Sequence, residues 1–148
     1  MCYSIIRYLL STLCLILLSV SLASAKELSA GDYTAQVNAV VTSFLPEEEL
    51  QKYGIEQDKD QALLTVMIER KQNGAASPVP ADVEVTATNL LGQLRKIKMR
   101  EIREGGAAYY VGEFSITPEE TLDFDIKFRP QESTSEYSVK YRQQFFTQ

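Results

Sequence analysis

The sequence predicts an all-β protein, an immunoglobulin-like sandwich of antiparallel sheets with about seven strands and one short helical turn. Apolar and polar residues alternate with a period of two along most of the chain after residue 32. Short turns rich in Gly, Asn or Pro separate the alternating segments, and no segment has the spacing of a βαβ unit. A small β-barrel is the alternative architecture for the same pattern.

The first 25 residues predict a secretory signal peptide. Arg7 precedes an apolar run over residues 9–20, and Ala23 and Ala25 follow it in the spacing of a cleavage site. We expect cleavage after Ala25, which leaves one sandwich domain over residues 26–148 without membrane insertion. A retained anchor is the alternative, although the apolar run is shorter than the roughly 20 residues that a spanning helix needs.

Charge and composition exclude several classes of function. The full chain has a net charge of −5, and removal of a signal with one basic and no acidic residue gives −5 − 1 = −6. This balance disfavours nucleic acid and anionic lipid as partners. His is absent, which excludes an imidazole base, a His-ligated metal and a Ser-His-Asp triad. Cys2 and Cys14 both lie in the signal, so the mature domain has no disulfide.

Residues 32–42 alternate and predict the first half-buried strand. A helical turn is predicted next, because Pro46 suits a first helical turn, acids occupy residues 47–49 near the positive end, and Gly54 follows. We attribute this acidic triplet to helix-end electrostatics and not to metal binding.

Residues 62–69 are apolar on both faces and predict a central strand that is covered on both sides. Gln-Asn-Gly at residues 72–74 predicts a turn, and residues 79–88 alternate again as a one-sided strand. Asn-Leu-Leu-Gly at residues 89–92 predicts the next turn.

The second half of the chain predicts the remaining four strands. Residues 94–104 form one highly charged strand, and Gly105-Gly106 joins it as a hairpin to residues 107–116. Residues 122–129 alternate without a fault, and a last strand runs from residue 137 to Phe145-Phe146.

The charged strand and the hairpin that follows it contain the candidate site. One interpretation is a structural charge network, because an Arg that turns inward must pair with a buried acid such as Glu101 or Glu113. The other is a recognition patch made by the arginines and an exposed tyrosine. The residues concerned are Arg100, Glu101, Arg103, Glu104, Tyr109 and Tyr110.

Two acidic groups are weaker candidates. Asp123 and Asp125 share one strand face about 7 Å apart, a separation that inverting glycosidases use. Glu56, Asp58 and Asp60 offer oxygen ligands at alternate positions, but the glycine and terminal Glu of a calcium loop are missing. We therefore predict no catalytic residue, no metal site and no cofactor, and we expect that the protein is not an enzyme.

Short motifs along the chain resemble those of a known family. The most specific are Asn-Leu-Leu-Gly at 89–92 and Arg-Glu-Ile-Arg-Glu-Gly at 100–105. The others are Phe44-Leu45, residues 52–55, residues 62–64, Tyr109-Tyr110, residues 119–122 and residues 144–146. In these segments the chain resembles the exported Gram-negative bacterial family called domain of unknown function 4426. The resemblance implies a periplasmic single-domain β-protein and no activity. The family's first strand carries His-Tyr-Asn-Ala-Phe-Asn, of which Asn38 and Ala39 alone match here.

These observations predict a non-catalytic periplasmic binding or accessory module that acts through protein contacts, with another periplasmic or envelope protein as partner. Sandwich edges are natural places for strand addition. The alternative is a sandwich that binds a small ligand or cell-wall glycan, and a carboxylate-based hydrolase comes third. An exposed apolar patch without a deep pocket favours the protein binder, whereas a cavity lined by several Tyr and Phe favours the ligand binder.

Overall fold

The computed structural model describes residues 25–147 and shows two antiparallel sheets packed face to face. These residues form ten strands: β1 (Lys26–Ala30), β2 (Tyr33–Val41), β3 (Gln61–Gln72), β4 (Ala75–Pro78), β5 (Ala81–Asn89), β6 (Leu94–Ile97), β7 (Arg100–Glu104), β8 (Ala107–Ser115), β9 (Thr121–Pro130) and β10 (Tyr137–Gln144). A 3-10 turn (Thr42–Phe44) and helix α1 (Glu47–Lys52) lie between β2 and β3. Within the described residues, no helix is long and apolar enough to cross a membrane.

The larger sheet has the order β1-β2-β3-β8-β7, with β4 paired to the end of β3, and the smaller sheet has the order β10-β9-β5-β6. All pairs are antiparallel. This arrangement confirms the predicted all-β sandwich. The predicted signal peptide, with Cys2 and Cys14, lies outside the described residues except for Ala25.

The core lies between the sheets, where the alternating strands place their apolar faces. Fully buried residues include Val37, Leu64 and Val66 from the larger sheet, and Phe124 and Phe128 from the smaller one. Burial of such a side chain stabilises the fold by about 1.5–3 kcal/mol. The alternation of apolar and polar residues in the sequence therefore predicts correctly which side chains of these strands face the core.

A second apolar cluster covers the outer face of the larger sheet. Leu50 of α1 and Ile55 after it pack against Leu63 of β3 and Val111 of β8. This cover explains why the predicted central strand is apolar on both faces. The position of β3 in the middle of the larger sheet confirms that prediction.

Two predicted hairpin turns have the geometry that their sequences require. Asn73 and Gly74 have φ angles of 53° and 78°, and Gly105 and Gly106 have 57° and 81°. Two consecutive residues with positive φ match the right-handed twist of paired strands, and Gly and Asn tolerate that conformation best. Both turns therefore set the register of the strands they join.

The structure corrects the strand count, the extent of the predicted strand over residues 94–104 and the end of the last strand. Two short edge strands, β1 and β4, were not predicted. The predicted single strand over residues 94–104 is two strands in different sheets, because the chain crosses between sheets at Lys98 and Met99. The last strand ends at Gln144, after which Phe145 is buried and Phe146 is exposed.

Candidate functional site

The crossing from β6 to β7 borders a cleft between the two sheets. Strand β6 pairs with residues 85–88 of β5 and ends opposite Val85, so residues 81–84 have no strand on that side in the described chain. Strand β7 pairs with β8 and is the outermost strand of the larger sheet on the same side. Two open strand edges, one from each sheet, therefore border one cleft.

Gly112 of β8 lets the crossing segment pass close to the larger sheet. A Cβ at this position would lie 2.6 Å from Sδ of Met99 and 2.6 Å from Cγ2 of Ile97. The carbonyl oxygen of Lys98 would lie 3.1 Å away. Because side chains do not normally approach so closely, a residue larger than Gly would displace the crossing segment.

The cleft has a volume of about 500 Å³ and is open to solvent. Val83, Met99 and two aromatic side chains, Tyr110 and Phe128, supply its apolar lining. Around them are four acidic and two basic side chains: Asp82, Glu84, Glu101, Glu136, Lys127 and Arg129. The lining is therefore mostly charged and carries a formal charge of −4 + 2 = −2.

Tyr110 joins the two sheets at the base of the cleft. Its hydroxyl accepts a hydrogen bond of 2.7 Å from the backbone N–H of Ala81 and lies 3.4 Å from Oε2 of Glu101, to which it donates. Burial raises the pKa of the Tyr110 hydroxyl, and the charge of Glu101 acts in the same direction. The hydroxyl is therefore neutral and works as a structural hydrogen-bonding group.

Glu101 is the centre of a small charge network on β7. The Nε atom of Arg103 lies 2.5 Å from its Oε1 atom, and the Tyr110 hydroxyl contacts the other oxygen. The Arg103 side chain is 66% exposed, so this pair contributes at most about 1 kcal/mol. Neither arginine of the strand turns into the core, and the Arg100 guanidinium donates to the backbone carbonyl of Tyr53 beside α1.

The structure divides the six predicted site residues between two faces of the larger sheet. On the cleft side, Glu101 lies opposite Tyr110 and Arg103 lies opposite Ala108. Strand alternation places the others on the outer face: Arg100, Glu104 and Tyr109. The structural network therefore forms around Glu101, whereas the arginines of the proposed recognition patch do not share a face.

The outer face has its own shallow concavity of about 360 Å³. Tyr109 lines it together with Gln36, Asn38, Thr65 and Met67. Asn38, one of the two positions that match the family's first-strand motif, therefore faces this concavity and not the core.

The Asp123 and Asp125 pair is engaged in cross-strand ion pairs. Arg142 donates two hydrogen bonds to Asp123, at 2.5 and 2.7 Å, and these bonds lower the pKa of that carboxyl. Burial alone would raise the pKa of Asp125, but hydrogen bonds from Lys140 and Ser138 outweigh it and the pKa is lowered. A glycosidase general acid needs a raised pKa, so this pair is poorly suited to that role.

The acidic loop before β3 is held by local contacts. Oδ1 of Asp58 accepts a hydrogen bond of 2.8 Å from the N–H of Asp60, and Lys59 lies 2.6 Å from the Asp60 carboxylate. No group of three or more His, Cys, Asp or Glu among residues 25–147 is arranged to hold a metal ion.

Sequence reasoning missed the residues that shape the cleft. Val83 and Met99 line it, and Gly112 allows the close crossing. The isolated Gly inside an alternating strand was a usable signal, because such a Gly often marks a close backbone approach.

A family model described as "Domain of unknown function (DUF4426)" matches residues 27–148. The crystal structure of a DUF4426 family protein from Pseudomonas aeruginosa has a TM-score of 0.71 at 25% sequence identity, and covers 84% of this chain and 97% of that chain. Both comparisons confirm the resemblance inferred from the sequence motifs. No curated protein matches the chain in sequence.

The same fold occurs in FetP from uropathogenic Escherichia coli strain F11. One crystal structure of FetP, expressed in the periplasm, has a TM-score of 0.62 at 10% identity, and covers 84% of this chain and 95% of that chain. A copper-bound variant of FetP has a TM-score of 0.61 at 9% identity, and covers 84% of this chain and 97% of that chain. At these identities the likeness shows a shared fold.

Proposed function

We propose, from the premise that this chain belongs to the DUF4426 family, that it is a non-catalytic periplasmic binding module. Its cleft would receive an extended segment of another envelope protein, which pairs as an added strand with β5. The observation that carries this proposal is the open edge of β5 at residues 81–84 beside an apolar-floored cleft.

The backbone of β5 offers hydrogen-bonding groups at this edge. The N–H of Ala81 points away from β9, because it donates to Tyr110 in the other sheet. Alternation along a strand then directs the N–H and C=O of Val83 toward the same side. Exposed strand edges of this kind are templates for strand addition, in which backbone hydrogen bonds supply affinity and side-chain pockets supply specificity.

The shape and charge of the cleft support a peptide segment over a sugar or a small apolar ligand. Ligand cavities are mainly apolar and enclosed, whereas this cleft is open and its rim is charged. Within the part of the chain that the structure describes, its aromatic lining consists of Tyr110 and Phe128. Since acids outnumber bases around it, a fitting segment has an apolar residue above Val83 and basic residues facing the rim.

The periplasmic location and the absence of catalysis rest on the sequence and the site chemistry. Residues 1–25 have the pattern of a signal peptide, and the chain contains no His. The Asp123 and Asp125 carboxyls have lowered pKa values, which supports a structural role for them.

Residues 25–147 offer no donor set that fits the copper bound by the FetP variant. The sulfur ligands in the described residues are Met67 and Met99, which lie on the outer face and in the cleft respectively. Copper sites in proteins commonly use imidazole nitrogen and the soft sulfur atoms of Cys and Met, and this chain has no His. We therefore include no metal in the proposed function.

Photo-crosslinking in the periplasm tests the proposal. A benzophenone side chain in place of Asp82 should capture a discrete protein, and the same group in place of Lys71, an exposed residue of the larger sheet where β3 pairs with β4, should not. Val83→Pro should abolish capture because it removes the edge N–H, whereas Val83→Thr retains it. Equal capture at both positions, or capture that survives Val83→Pro, would overturn strand addition at this edge.

A further inference from the structure

The exposed large apolar residues of the described chain all lie at one end of the sandwich. This end contains the 3-10 turn after β2, the turn from β5 to β6, the turn from β8 to β9 and the chain after β10. The exposed residues are Phe44 at 52%, Leu90 at 72%, Leu91 at 84%, Leu94 at 67% and Phe146 at 58%. The opposite end, with the Asn73-Gly74 hairpin, has no such residue among residues 25–147.

The turn from β5 to β6 is built as a self-contained projection. The side-chain oxygen of Asn89 accepts hydrogen bonds from the N–H groups of Leu91 at 3.1 Å and Gln93 at 2.9 Å. The N–H of Gly92 donates to the Asn89 carbonyl at 2.9 Å. The turn therefore satisfies these donors internally while both leucines point into solvent. A turn that enters the hydrocarbon region of a bilayer needs such internal hydrogen bonds, because no water is present there to bond its backbone groups.

The charges near this turn are arranged around an uncharged tip. Residues 89–94 contain no charged side chain, and Arg95 and Lys96 follow at the base of the projection. Arg95 donates to Glu120 and to the carbonyl of Ser115, and Nζ of Lys96 lies 3.7 Å from Oε1 of Glu84. Both basic side chains at the base are therefore paired with acids, and an apolar tip above paired charges suits acyl chains beneath headgroups of no net charge.

The chain enters the domain from the direction of the same end. Lys26 lies opposite Val37 and Ala30 lies opposite Tyr33, so β1 runs away from the end at which β2 finishes. The apolar run at residues 9–20 precedes β1. The predicted signal segment therefore joins the domain on the side of its apolar end.

We propose that the apolar end docks on the surface of a bilayer with zwitterionic headgroups, and that Leu90 and Leu91 insert among the acyl chains. The net charge of −6 expected for residues 26–148 opposes anionic lipid, so neutral headgroups such as phosphatidylcholine or phosphatidylethanolamine fit best. This peripheral docking departs from the expectation that residues 26–148 do not insert into a membrane. It is separate from strand addition at β5 and needs no partner protein.

The absence of Trp from the chain makes a direct test available. Leu91→Trp places a single fluorophore at the tip, and Gln72→Trp places one at an exposed position near the opposite end. The exported protein is mixed with phosphatidylcholine vesicles, with and without brominated acyl chains. We expect a blue shift and bromine quenching for Leu91→Trp, and neither for Gln72→Trp.

Vesicle co-sedimentation gives the second measurement. The double variant Leu90→Ser, Leu91→Ser should lose about tenfold or more in vesicle partition, since each buried Leu contributes strongly. Circular dichroism checks that it remains folded. Lipid docking is overturned if Leu91→Trp is not quenched, if Gln72→Trp is quenched equally, or if partition survives the double variant. A blue shift that grows with protein concentration without vesicles would instead show self-association at this end.

Discussion

The Tyr110 hydroxyl of the larger sheet accepts a hydrogen bond of 2.7 Å from the backbone N–H of Ala81, the first residue of β5 in the smaller sheet. The bond lies where β5 has no neighbouring strand on that side in the described chain. It connects the two sheets and satisfies the N–H of Ala81, the first backbone donor of an otherwise unpaired strand edge. The free backbone edge of β5 therefore begins beyond Ala81, at Val83.

Tyr110→Phe should destabilise the fold, because it leaves the buried N–H of Ala81 without an acceptor. A loss of about 1–3 kcal/mol in the free energy of unfolding is the cost expected for a buried unsatisfied donor. Urea denaturation measures it. Tyr109→Phe is the matched control, since Tyr109 lies on the outer face and should change stability by less than about 0.5 kcal/mol. Equal effects of the two variants would contradict a structural role for the Tyr110 hydroxyl.

Gly112→Ala should destabilise through a steric clash with the crossing segment. The added Cβ would lie 2.6 Å from Sδ of Met99, and overpacking of this kind costs about 1–3 kcal/mol. Met99→Ala removes the sulfur, so the double variant should be more stable than the sum of the two single effects predicts. Strict additivity in denaturation would show that Met99 is not the residue that Gly112 accommodates.

Thr34→Val and Thr42→Val should have opposite effects although both residues are fully buried. The Thr34 hydroxyl has no hydrogen-bond partner among residues 25–147, whereas the Thr42 hydroxyl donates to the Asp58 carbonyl and accepts from the Asp58 N–H, each at 2.9 Å. Loss of an unsatisfied polar group should stabilise by roughly 1 kcal/mol, and loss of the doubly bonded one should destabilise by about 1–3 kcal/mol. Differential scanning calorimetry of both variants checks the pair. Destabilisation by Thr34→Val would show that its hydroxyl has a partner in solution.

The sequence predicts the long strands well because each has one buried face. Strand β9 alternates fully, and its inward Phe124 and Phe128 are almost completely buried. Strand β4 is exposed on both faces, so burial imposes no alternation on its residues. The crossing between sheets at residues 98–99 cannot be predicted from the sequence pattern, for another reason. Ile97 and Met99 both point inward, so the period of two continues while the chain leaves one sheet for the other.

The candidate site is only partly readable from the sequence. Arg100 and Arg103 are three residues apart on a strand, an odd spacing that already places them on opposite faces. Their contacts with Tyr53 and Glu101 confirm this separation. The cleft itself depends on which strand edges stay unpaired, and this is set by the pairing of segments distant in sequence. No local sequence pattern around Val83 predicts that this edge of β5 stays unpaired.

The ion pair between Asp123 and Arg142 should make stability depend on pH at the acidic side. Hydrogen bonds from Arg142 lower the pKa of Asp123 in the folded protein below its unfolded value. A lowered folded pKa means that the stabilisation is present above the unfolded pKa and is lost as the pH falls through the folded pKa. NMR titration of the Asp123 carboxyl should therefore give a midpoint below that of a free Asp, and Arg142→Gln should raise it. Lys140→Gln is the comparison, since Lys140 bonds to Asp125 and is a lesser influence on Asp123. If the midpoint stays at its ordinary value, or responds equally to both variants, the cross-strand pair does not persist in solution.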